Sequence, residues 1–327
     1  MQKPCLPSCS LFFIKPNKYL SCPQDERQSL LEFKNLLTHN IKNHSTTEID
    51  LGDLESWKPS SDCCKWKLVG CDTRSPSREV IDLNLRSLVL HGSFSVSSSI
   101  LRPLLHISSL DVSLNSISGE IPGDAFMNLT RLISLDMSHN FFNGSILPEL
   151  FSLKALQYLN LSFNHIVGEI PGHAFVNLTR LISLDMSHNL FNGSILPELF
   201  SSKALQYLNL SFNDIFGEIP GNAFVNLTRL IYPDMRVNNF NGSIPTELFS
   251  LKTLQRLDLS DNAIGGTLSG DIKELKNLQE LILGDNLIGG EIPPEIGSLV
   301  ELRTLNLSSN KFNGSIPLSV SDKARNV

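Results

Sequence analysis

The chain has 327 residues, of which 41% are hydrophobic and 18% charged, a balance that allows a large buried core and excludes global disorder. It carries 27 Lys and Arg against 33 Asp and Glu, a net charge of −6, and it has no cluster of aromatic and arginine residues, so we expect no nucleic-acid partner. No window reaches the ~20 apolar residues that a membrane helix needs.

The first segment, residues 1–21, contains the apolar run CSLFFI, which ends at Lys15 and Pro16. Signal peptides usually carry roughly 7–15 uninterrupted apolar residues. We therefore interpret 1–21 as a poor or doubtful signal segment.

Residues 22–79 are predicted to form an N-terminal cap over the apolar end of the region that follows. DERQSLLEFKNLL, residues 25–37, has the apolar spacing of a helix, with Asp25 as its N-cap. Next comes LESWKPSSDCCKWKLVGC, residues 54–71, which together with the upstream Cys22 supplies four cysteines. A zinc site is the alternative use of these cysteines, but adjacent cysteines without a second C-x-x-C fit it poorly. We predict no metal and no cofactor.

Residues 80–320 repeat the pattern LxxLxLxxN about ten times, at spacings of 24 or 25 residues, and a degenerate first copy lies at 80–92. Residues 123–171 and 172–220 are near-identical blocks of two repeats each. One coil cannot bury its own apolar face, whereas stacked coils bury a continuous core and pair their strands into a parallel sheet. The pattern therefore predicts an α/β repeat solenoid.

Three further features of the repeat are interpreted as structural. A buried amide at the end of each strand can bond backbone groups of two coils, which explains Asn115, Asn140, Asn164, Asn189, Asn213, Asn238, Asn262, Asn286 and Asn310. A recurring phenylalanine predicts an aromatic spine on the outer side, formed by Phe126, Phe151, Phe175, Phe200, Phe224 and Phe249. Pro233 occupies a central strand position and predicts weak pairing there, because proline has no N–H to donate.

The sequence G-x-I-P follows many of these asparagines, for example at 119–122, 168–171 and 217–220. With LxxLxLxxN it resembles the plant-specific class of leucine-rich repeat, and Cys22 with CCKWKLVGC resembles the plant leucine-rich-repeat N-terminal cap. The resemblance implies a right-handed superhelix with the parallel sheet on its concave face. It also implies the disulfides Cys22–Cys63 and Cys64–Cys71, and hence an oxidising compartment. We expect 321–327 to be a polar C-terminal tail without a closing cap.

N-x-S/T sequons are frequent, which agrees with secretion. The alternative is that these letters simply follow from the repeat consensus. We predict glycosylation at Asn43, Asn128, Asn143, Asn177, Asn192, Asn226, Asn241 and Asn313, and low occupancy at Asn160, Asn209 and Asn306, which lie within inner strands.

A Ser-His pair beside an Asp occurs twice, as Asp136-Met-Ser138-His139 and its copy ending at His188. A nucleophilic triad needs a Ser hydrogen-bonded to a His and that His hydrogen-bonded to an Asp, together with donors aimed at an oxyanion. Here Ser and His are chain neighbours, both expected to be exposed before the recurrent Asn, and no G-x-S-x-G motif is present. We predict no catalytic residue and no enzyme.

Function is then expected from the side chains that the inner strands leave free. Large aromatics supply contact area at low entropic cost, although duplication alone could have doubled one aromatic pair. The predicted ligand-binding residues on the concave face are Tyr158, Phe163, Tyr207, Phe212, Tyr232, Asp136, Asp185, His139, His188, Asp234 and Arg256.

CPQDERQSLLEFKNLL, SWKPSSDCCKW and REVIDLNL resemble the amino-terminal part of plant leucine-rich-repeat receptor-like proteins. The resemblance implies a non-catalytic ectodomain in the apoplast or on the outer face of the plasma membrane, which recognises a protein or peptide ligand, including microbial ones, in defence or development. It also implies signalling through a co-receptor kinase. We expect a chain truncated before its membrane helix, and membrane association only if such a helix exists. The alternatives are a soluble cell-wall inhibitor, similar to polygalacturonase-inhibiting proteins, and a non-functional truncated duplicate.

Overall fold

The structure is a computed structural model that describes residues 22–44, 52–88, 90–93 and 104–320, without the side chains of 36–44 and 91–93. The predicted signal segment 1–21 and tail 321–327 lie outside the described residues. Each coil contains a short inner strand, a turn, an outer segment and a return through one helical turn. No helix among the described residues is long and apolar enough to cross a membrane.

The inner strands form one eleven-stranded sheet, in which successive coils lie side by side. The first strand pairs antiparallel with the second, and the other ten are parallel. With strands numbered in chain order, this sheet contains β1 (Val69–Cys71), β2 (Val80–Asn84), β4 (Ser109–Asp111), β6 (Ser134–Asp136), β8 (Tyr158–Asn160), β10 (Ser183–Asp185), β12 (Tyr207–Asn209), β14 (Tyr232–Asp234), β16 (Arg256–Asp258), β17 (Glu280–Ile282) and β19 (Thr304–Asn306). The predicted repeat solenoid with a parallel sheet is thereby confirmed.

The outer strands are short and pair in smaller groups. They are β3 (His91–Ser93), β5 (Ser116–Glu120), β7 (Phe141–Asn143), β9 (Val167–Glu169), β11 (Leu190–Asn192), β13 (Phe216–Glu218), β15 (Asn239–Asn241), β18 (Gly289–Glu291) and β20 (Lys311–Asn313). The α-helices are α1 (Gln24–His44), α2 (Gly123–Phe126) and α3 (Gly221–Phe224), and 3-10 turns span Gly52–Ser56, Cys63–Lys65, Pro148–Ser152, Gly172–Asn177, Pro197–Phe200, Thr246–Ser250, Gly270–Glu274 and Pro294–Ser298.

The core runs continuously through the coils and is built from the repeated leucine, isoleucine and phenylalanine positions. All six residues of the predicted phenylalanine spine are buried. Ring centroids lie 4.4 Å apart between Phe151 and Phe175, and 5.1 Å apart between Phe200 and Phe224. These rings pack coil against coil on the side away from the inner sheet.

The recurrent asparagine joins neighbouring coils through its amide. The Asn189 Nδ2 atom donates to the backbone oxygens of Leu161, Met186 and Ser187 at 2.9–3.3 Å, and its Oδ1 accepts from the Ile166 N–H at 3.1 Å. The same arrangement recurs at the other eight asparagines of the series, for example at Asn164. The amide therefore satisfies the backbone groups that the turn would leave unpaired.

Helix α1 covers the first coil of the repeats. Its own Leu30 and Phe33 are fully buried, and the rings of Trp57 and Trp66 stack at 5.4 Å. The structure joins Cys22 to Cys63 and Cys64 to Cys71, the pairing that the family resemblance implies.

The start of α1 differs from the prediction. The helix begins at Gln24, so Asp25 lies in its first turn rather than at the N-cap. The next carboxylate, Glu26, is buried and accepts a hydrogen bond from the backbone N–H of Val80 at 2.7 Å. Burial raises the pKa of Glu26 to about 7. This contact ties the helix to the first parallel strand, which explains why the acidic residue faces inward.

Strand β14 carries the predicted defect at Pro233. Its pairing with β12 has three residue partners, whereas its pairing with β16 is reduced to Asp234 opposite Asp258. N–H groups along an inner strand alternate in direction: the Tyr232 N–H donates to the Gln206 oxygen of the preceding coil at 3.1 Å, whereas the Met235 N–H donates to the Asp258 oxygen of the following coil at 3.0 Å. Position 233, two residues before Met235, faces the following coil in the same way. The missing proline N–H therefore weakens the β16 side, and the predicted weak pairing is confirmed.

Candidate ligand-binding face

Most inner strands end in a turn that is closed by an Asp or Asn side chain of the same strand. The Asp136 Oδ1 atom accepts hydrogen bonds from the Ser138 N–H at 2.9 Å and from its hydroxyl at 2.7 Å. Asp185 and Ser187 make the same pair of bonds. The expectation that these serines are exposed is wrong, because the turn buries both of them. Each serine hydroxyl donates to a carboxylate of its own turn. The repeated Asp-x-Ser sequence therefore has a structural role in closing the turn.

The residue after each such turn adopts a left-handed backbone conformation. Nine residues in register have φ between 50° and 56°, namely Leu114, His139, Phe163, His188, Phe212, Val237, Asp261, Asp285 and Ser309. Such φ values are uncommon outside glycine. Backbone hydrogen bonds to the next coil impose them, as from the His139 N–H to the Ser162 oxygen at 2.9 Å. The side chains of this column consequently lie directly beside one another.

Four members of this column form a continuous stack of rings, His139, Phe163, His188 and Phe212, which we call the aromatic ladder. Successive centroids lie 4.2, 3.9 and 4.1 Å apart, with planes within 14° of parallel. The Arg236 guanidinium lies 5.4 Å from the centroid of Phe212 and covers that end of the stack. The ladder is thus a continuous aromatic surface that crosses four coils.

Protonation of the ladder is disfavoured at its centre. His188 lies between two phenylalanine rings, and burial lowers its pKa below the ordinary value of 6.5. Asp185 acts in the opposite direction, while Arg236 and His139 lower the pKa further. The neutral imidazole is therefore favoured within the stack.

The three predicted tyrosines lie in a second column, separated from the ladder by the Asp and Asn column of the turns. Tyr158 and Tyr232 are 45% and 42% exposed. Tyr207 is half-buried, its hydroxyl donates to Asp185 Oδ2 at 3.4 Å, and burial raises its pKa. The tyrosines and phenylalanines therefore form two parallel columns on one face rather than a single aromatic patch.

Arg256 and Asp234 belong to an ion cluster beyond the ladder. The buried carboxylate of Asp258 lies 3.1 Å from the Arg256 guanidinium and 3.5 Å from that of Arg236. Arg256 also contacts Glu280 at 3.3 Å, and Asp234 lies 3.7 Å from Arg236. Burial raises the pKa of Asp234, and the neighbouring Asp258 raises it further. Three carboxylates thus surround two guanidinium groups, so this end of the face is not a free cationic site.

Together these residues make a face that is aromatic, rigid and acidic. Asp136 and Asp185 turn their Oδ2 atoms towards Asn160 and Asn209 of the next coil, at 3.3 Å. Such a surface suits apolar and basic groups of a partner. Sequence reasoning missed Arg236, which caps the ladder, although its place two residues after Asp234 matches the serine of the other turns.

Seven of the eight predicted glycosylation sites have exposed asparagines in the structure. They are Asn128, Asn143, Asn177, Asn192, Asn226, Asn241 and Asn313. Asn43 falls within α1, but its side chain lies outside the described part of the chain. On the inner sheet, the amide oxygens of Asn160 and Asn209 each accept hydrogen bonds from the turn serine. These bonds support the expectation of low occupancy at these positions.

Family comparisons match both parts of the chain. The Leucine rich repeat N-terminal domain family matches residues 23–72. Leucine rich repeat families match 105–166, 154–215, 204–227, 250–267 and 276–319. Between them, these matches include the helix of the cap and both duplicated blocks.

Receptor-like protein 46 of Arabidopsis thaliana is 56% identical over 158 residues, which cover 47% of this chain and 19% of the relative. Receptor-like protein 7 of the same plant is 33% identical over 142 residues, covering 43% of this chain and 13% of the relative. The chain therefore spans less than a fifth of the length of these curated relatives.

The fold is similar to that of the leucine-rich-repeat ectodomain of the Arabidopsis thaliana membrane receptor kinase GASSHO1/SCHENGEN3, solved with CASPARIAN STRIP INTEGRITY FACTOR 2. That match has a TM-score of 0.80 and 33% identity and covers 90% of this chain and 34% of that one. The Arabidopsis receptor kinase HAESA, solved with the peptide hormone IDA and the co-receptor SERK1, matches with a TM-score of 0.65 and 33% identity, over 75% of this chain and 47% of that one.

Proposed function

The chain belongs to the plant leucine-rich-repeat receptor-like proteins, and on that premise we propose that its coils form the ligand-recognition part of a cell-surface receptor without catalytic activity of its own. The aromatic ladder is the observation that carries the proposal. It presents four stacked rings in register across four coils, beside carboxylates that are already held in place. A preorganised aromatic surface binds a partner with little loss of side-chain entropy.

The ligand is a protein or a peptide, and the signalling partner is a co-receptor kinase. HAESA, a similar ectodomain, was solved with a peptide hormone and a co-receptor. The acidic column that includes Asp136 and Asp185 favours a ligand segment with basic residues next to apolar ones. Location on the outer face of the plasma membrane or in the apoplast agrees with the two disulfides of the cap. A role in defence or development, and a microbial source of the ligand, belong to the same proposal.

The test compares ligand capture by variants of the two faces. Secreted protein is immobilised and exposed to plant apoplastic fluid, to microbial culture filtrate and to an array of synthetic peptides. Phe163→Ala or Tyr158→Ala should weaken binding of any specific ligand by roughly 1–2 kcal/mol, about five- to thirtyfold in Kd. Leu190→Ala is the matched control, because Leu190 is comparably exposed but lies on the outer sheet.

Equal binding by all three variants would refute the concave face as the binding site. A purified fungal polygalacturonase, added as a separate probe, distinguishes the inhibitor alternative. If that enzyme binds and loses activity, and the Phe163→Ala variant fails to inhibit it, the chain acts as a wall inhibitor rather than as a receptor.

A further inference from the structure

The outer strands of the duplicated blocks expose several large apolar side chains. Phe141, Val167, Leu190 and Phe216 are 40–52% exposed and lie on consecutive outer strands, and we call them the outer apolar patch. Val167 pairs directly with Leu190, and the ring of Phe141 stacks with that of His165 at 5.7 Å. A contiguous apolar patch on a secreted protein indicates that something covers it.

Four identical sequons lie at the ends of outer strands, two of them on strands that contribute to the patch. Asn-Gly-Ser-Ile occurs at Asn143, Asn192, Asn241 and Asn313, each time as the last residue of an outer strand. The following glycine has φ between 70° and 77° at all four places, so the local backbone is the same. The first residue of each strand lies two positions earlier and shares a face with the asparagine. That residue is Phe141, Leu190, Asn239 or Lys311.

The strand that follows completes the surroundings of each asparagine. The His165 N–H donates to the Phe142 oxygen at 2.8 Å, and the Val167 N–H donates to the Gly144 oxygen at 2.9 Å. These two backbone hydrogen bonds lie on either side of Asn143. Equivalent bonds from Asp214 and Phe216 bracket Asn192 at 2.8 and 3.0 Å.

The third sequon has the same backbone arrangement with different side chains. Ala263 and Gly265 make the bonds that bracket Asn241, at 2.8 and 2.7 Å. On its own and the following strand, Asn241 therefore has Asn239, Ala263 and Gly265 beside it, whereas Asn143 has Phe141, His165 and Val167. On the preceding strand, Phe216 lies opposite Asn239 and Ser118 lies opposite Phe141. The chain thus contains sites with the same local backbone that differ in the residue two positions earlier on the same strand, which is Phe141 or Leu190 at the first two sites and Asn239 at the third.

We propose that the first N-acetylglucosamine of the glycans on Asn143 and Asn192 packs on the outer apolar patch through Phe141 and Leu190 of their own strands, whereas Asn239 gives the sugar on Asn241 no such contact. One face of a pyranose ring presents C–H groups, which gain from leaving water. The electron-rich faces of Phe141 and Phe216 attract such C–H groups as they attract the positive edges of other rings. The inference rests on the proposed entry into the secretory pathway, where sequons are modified.

The experiment measures the release of each glycan from the native protein. The chain is produced in plant cells and treated with a peptide-N-glycosidase, and remaining occupancy at each site is followed by glycopeptide mass spectrometry. Release at Asn143 and Asn192 should be at least about fivefold slower than at Asn241, the factor that a contact of this size gives. In denatured protein the three rates should be equal.

A single-residue exchange supplies the control. Phe141→Asn turns the segment FFNGSI into NFNGSI, the segment around Asn241, and Asn239→Phe makes the reverse change. The first variant should speed release at Asn143, and the second should slow release at Asn241. Equal rates at all sites of the native protein, or no response to either exchange, would overturn the packing alone. Unmodified asparagines at all four sites would overturn both the packing and the proposed secretory location.

Discussion

The two duplicated blocks, 123–171 and 172–220, differ at six positions, none of them on an inner strand or in the aromatic ladder. Two of the six lie on outer strands, where Phe141 and Val167 are replaced by Leu190 and Phe216, and a third replaces His165 by Asp214 two residues before such a strand. A ladder ring contacts the coils on both sides, so a change there disturbs two stacking contacts. An outer side chain faces solvent, and its replacement disturbs little. Inner and outer faces of one coil are therefore under different physical constraints.

One of the six differences between the blocks falls in the core, and it shows what a buried position requires. Ser202 stands where the first block has Leu153, and both are buried. The Ser202 hydroxyl donates to the backbone oxygen of Leu181 at 2.8 Å and lies 3.2 Å from that of Thr179. A buried polar side chain is tolerated because it is hydrogen-bonded.

The strongest test of this difference replaces one asparagine on each side of the same coil. Asn189→Ala removes four hydrogen bonds and leaves buried backbone groups unpaired, so it should lower the free energy of unfolding by about 3–5 kcal/mol. Asn192→Ala, on the exposed outer strand of the same coil, should change it by less than about 0.5 kcal/mol. Urea unfolding of non-glycosylated protein measures both, and similar losses would contradict the distinction.

A smaller effect is expected from truncating a ring on each face. Phe163→Ala removes stacking with both His139 and His188 and should lower the free energy of unfolding by about 1–3 kcal/mol. Phe141→Ala removes one ring contact, with His165, and should cost about 0.5–1 kcal/mol. A double-mutant cycle with His188→Ala would show whether the ladder acts as a unit, since additive losses would exclude coupling.

The ladder should also respond to acid through His188. Because burial lowers the pKa of His188, the unfolded chain binds its proton more readily than the folded chain does. The contribution of His188 to stability is thus present above its unfolded pKa and is lost as the pH falls through the folded pKa. NMR titration should place the pKa of His188 below 6.5. His188→Phe should keep the stack and flatten this part of the pH profile, and an unchanged profile would contradict the assignment.

The smallest effect is expected where the inner sheet itself departs from the repeat. Pro233→Leu introduces the residue that both duplicated blocks carry at the equivalent positions, Leu135 and Leu184. It should restore a hydrogen bond to β16, worth about 1 kcal/mol, while the more flexible unfolded chain offsets about half of this or more. Hydrogen exchange should therefore slow locally at β14, with little change in global stability. Unchanged exchange would show that proline is not the cause of the weak pairing.

Much of the fold could be predicted from spacing, because each inner position must repeat with the coil. The buried asparagines and the weak pairing at Pro233 follow directly from that requirement. The exposure of Ser138 was predicted wrongly, because spacing does not reveal that its hydroxyl bonds to Asp136 inside the turn. The inward position of Glu26, next to the predicted N-cap Asp25, was also missed, since it depends on the bond to Val80 54 residues away.

The candidate site was predictable as a face but not as a geometry. The sequence places Phe163 and His188 in one column. Their stacking, however, depends on a left-handed backbone conformation that no residue type in the repeat indicates. Neighbouring coils impose that conformation through backbone hydrogen bonds, so the signal is spread over residues of two repeats. The same applies to Arg236, whose position over Phe212 results from the stacking of coils rather than from local sequence.

The left-handed column has a consequence for how such a surface changes over evolutionary time. Leucine, histidine, phenylalanine, valine, aspartate and serine all occupy it at nearly the same φ, because main-chain bonds rather than side-chain preference set the angle. A point mutation at one of these codons would therefore change the side chain presented to a partner, while the backbone of the coil stays the same. Copying a pair of coils, as happened at 123–220, then lengthens the displayed row in one genetic event.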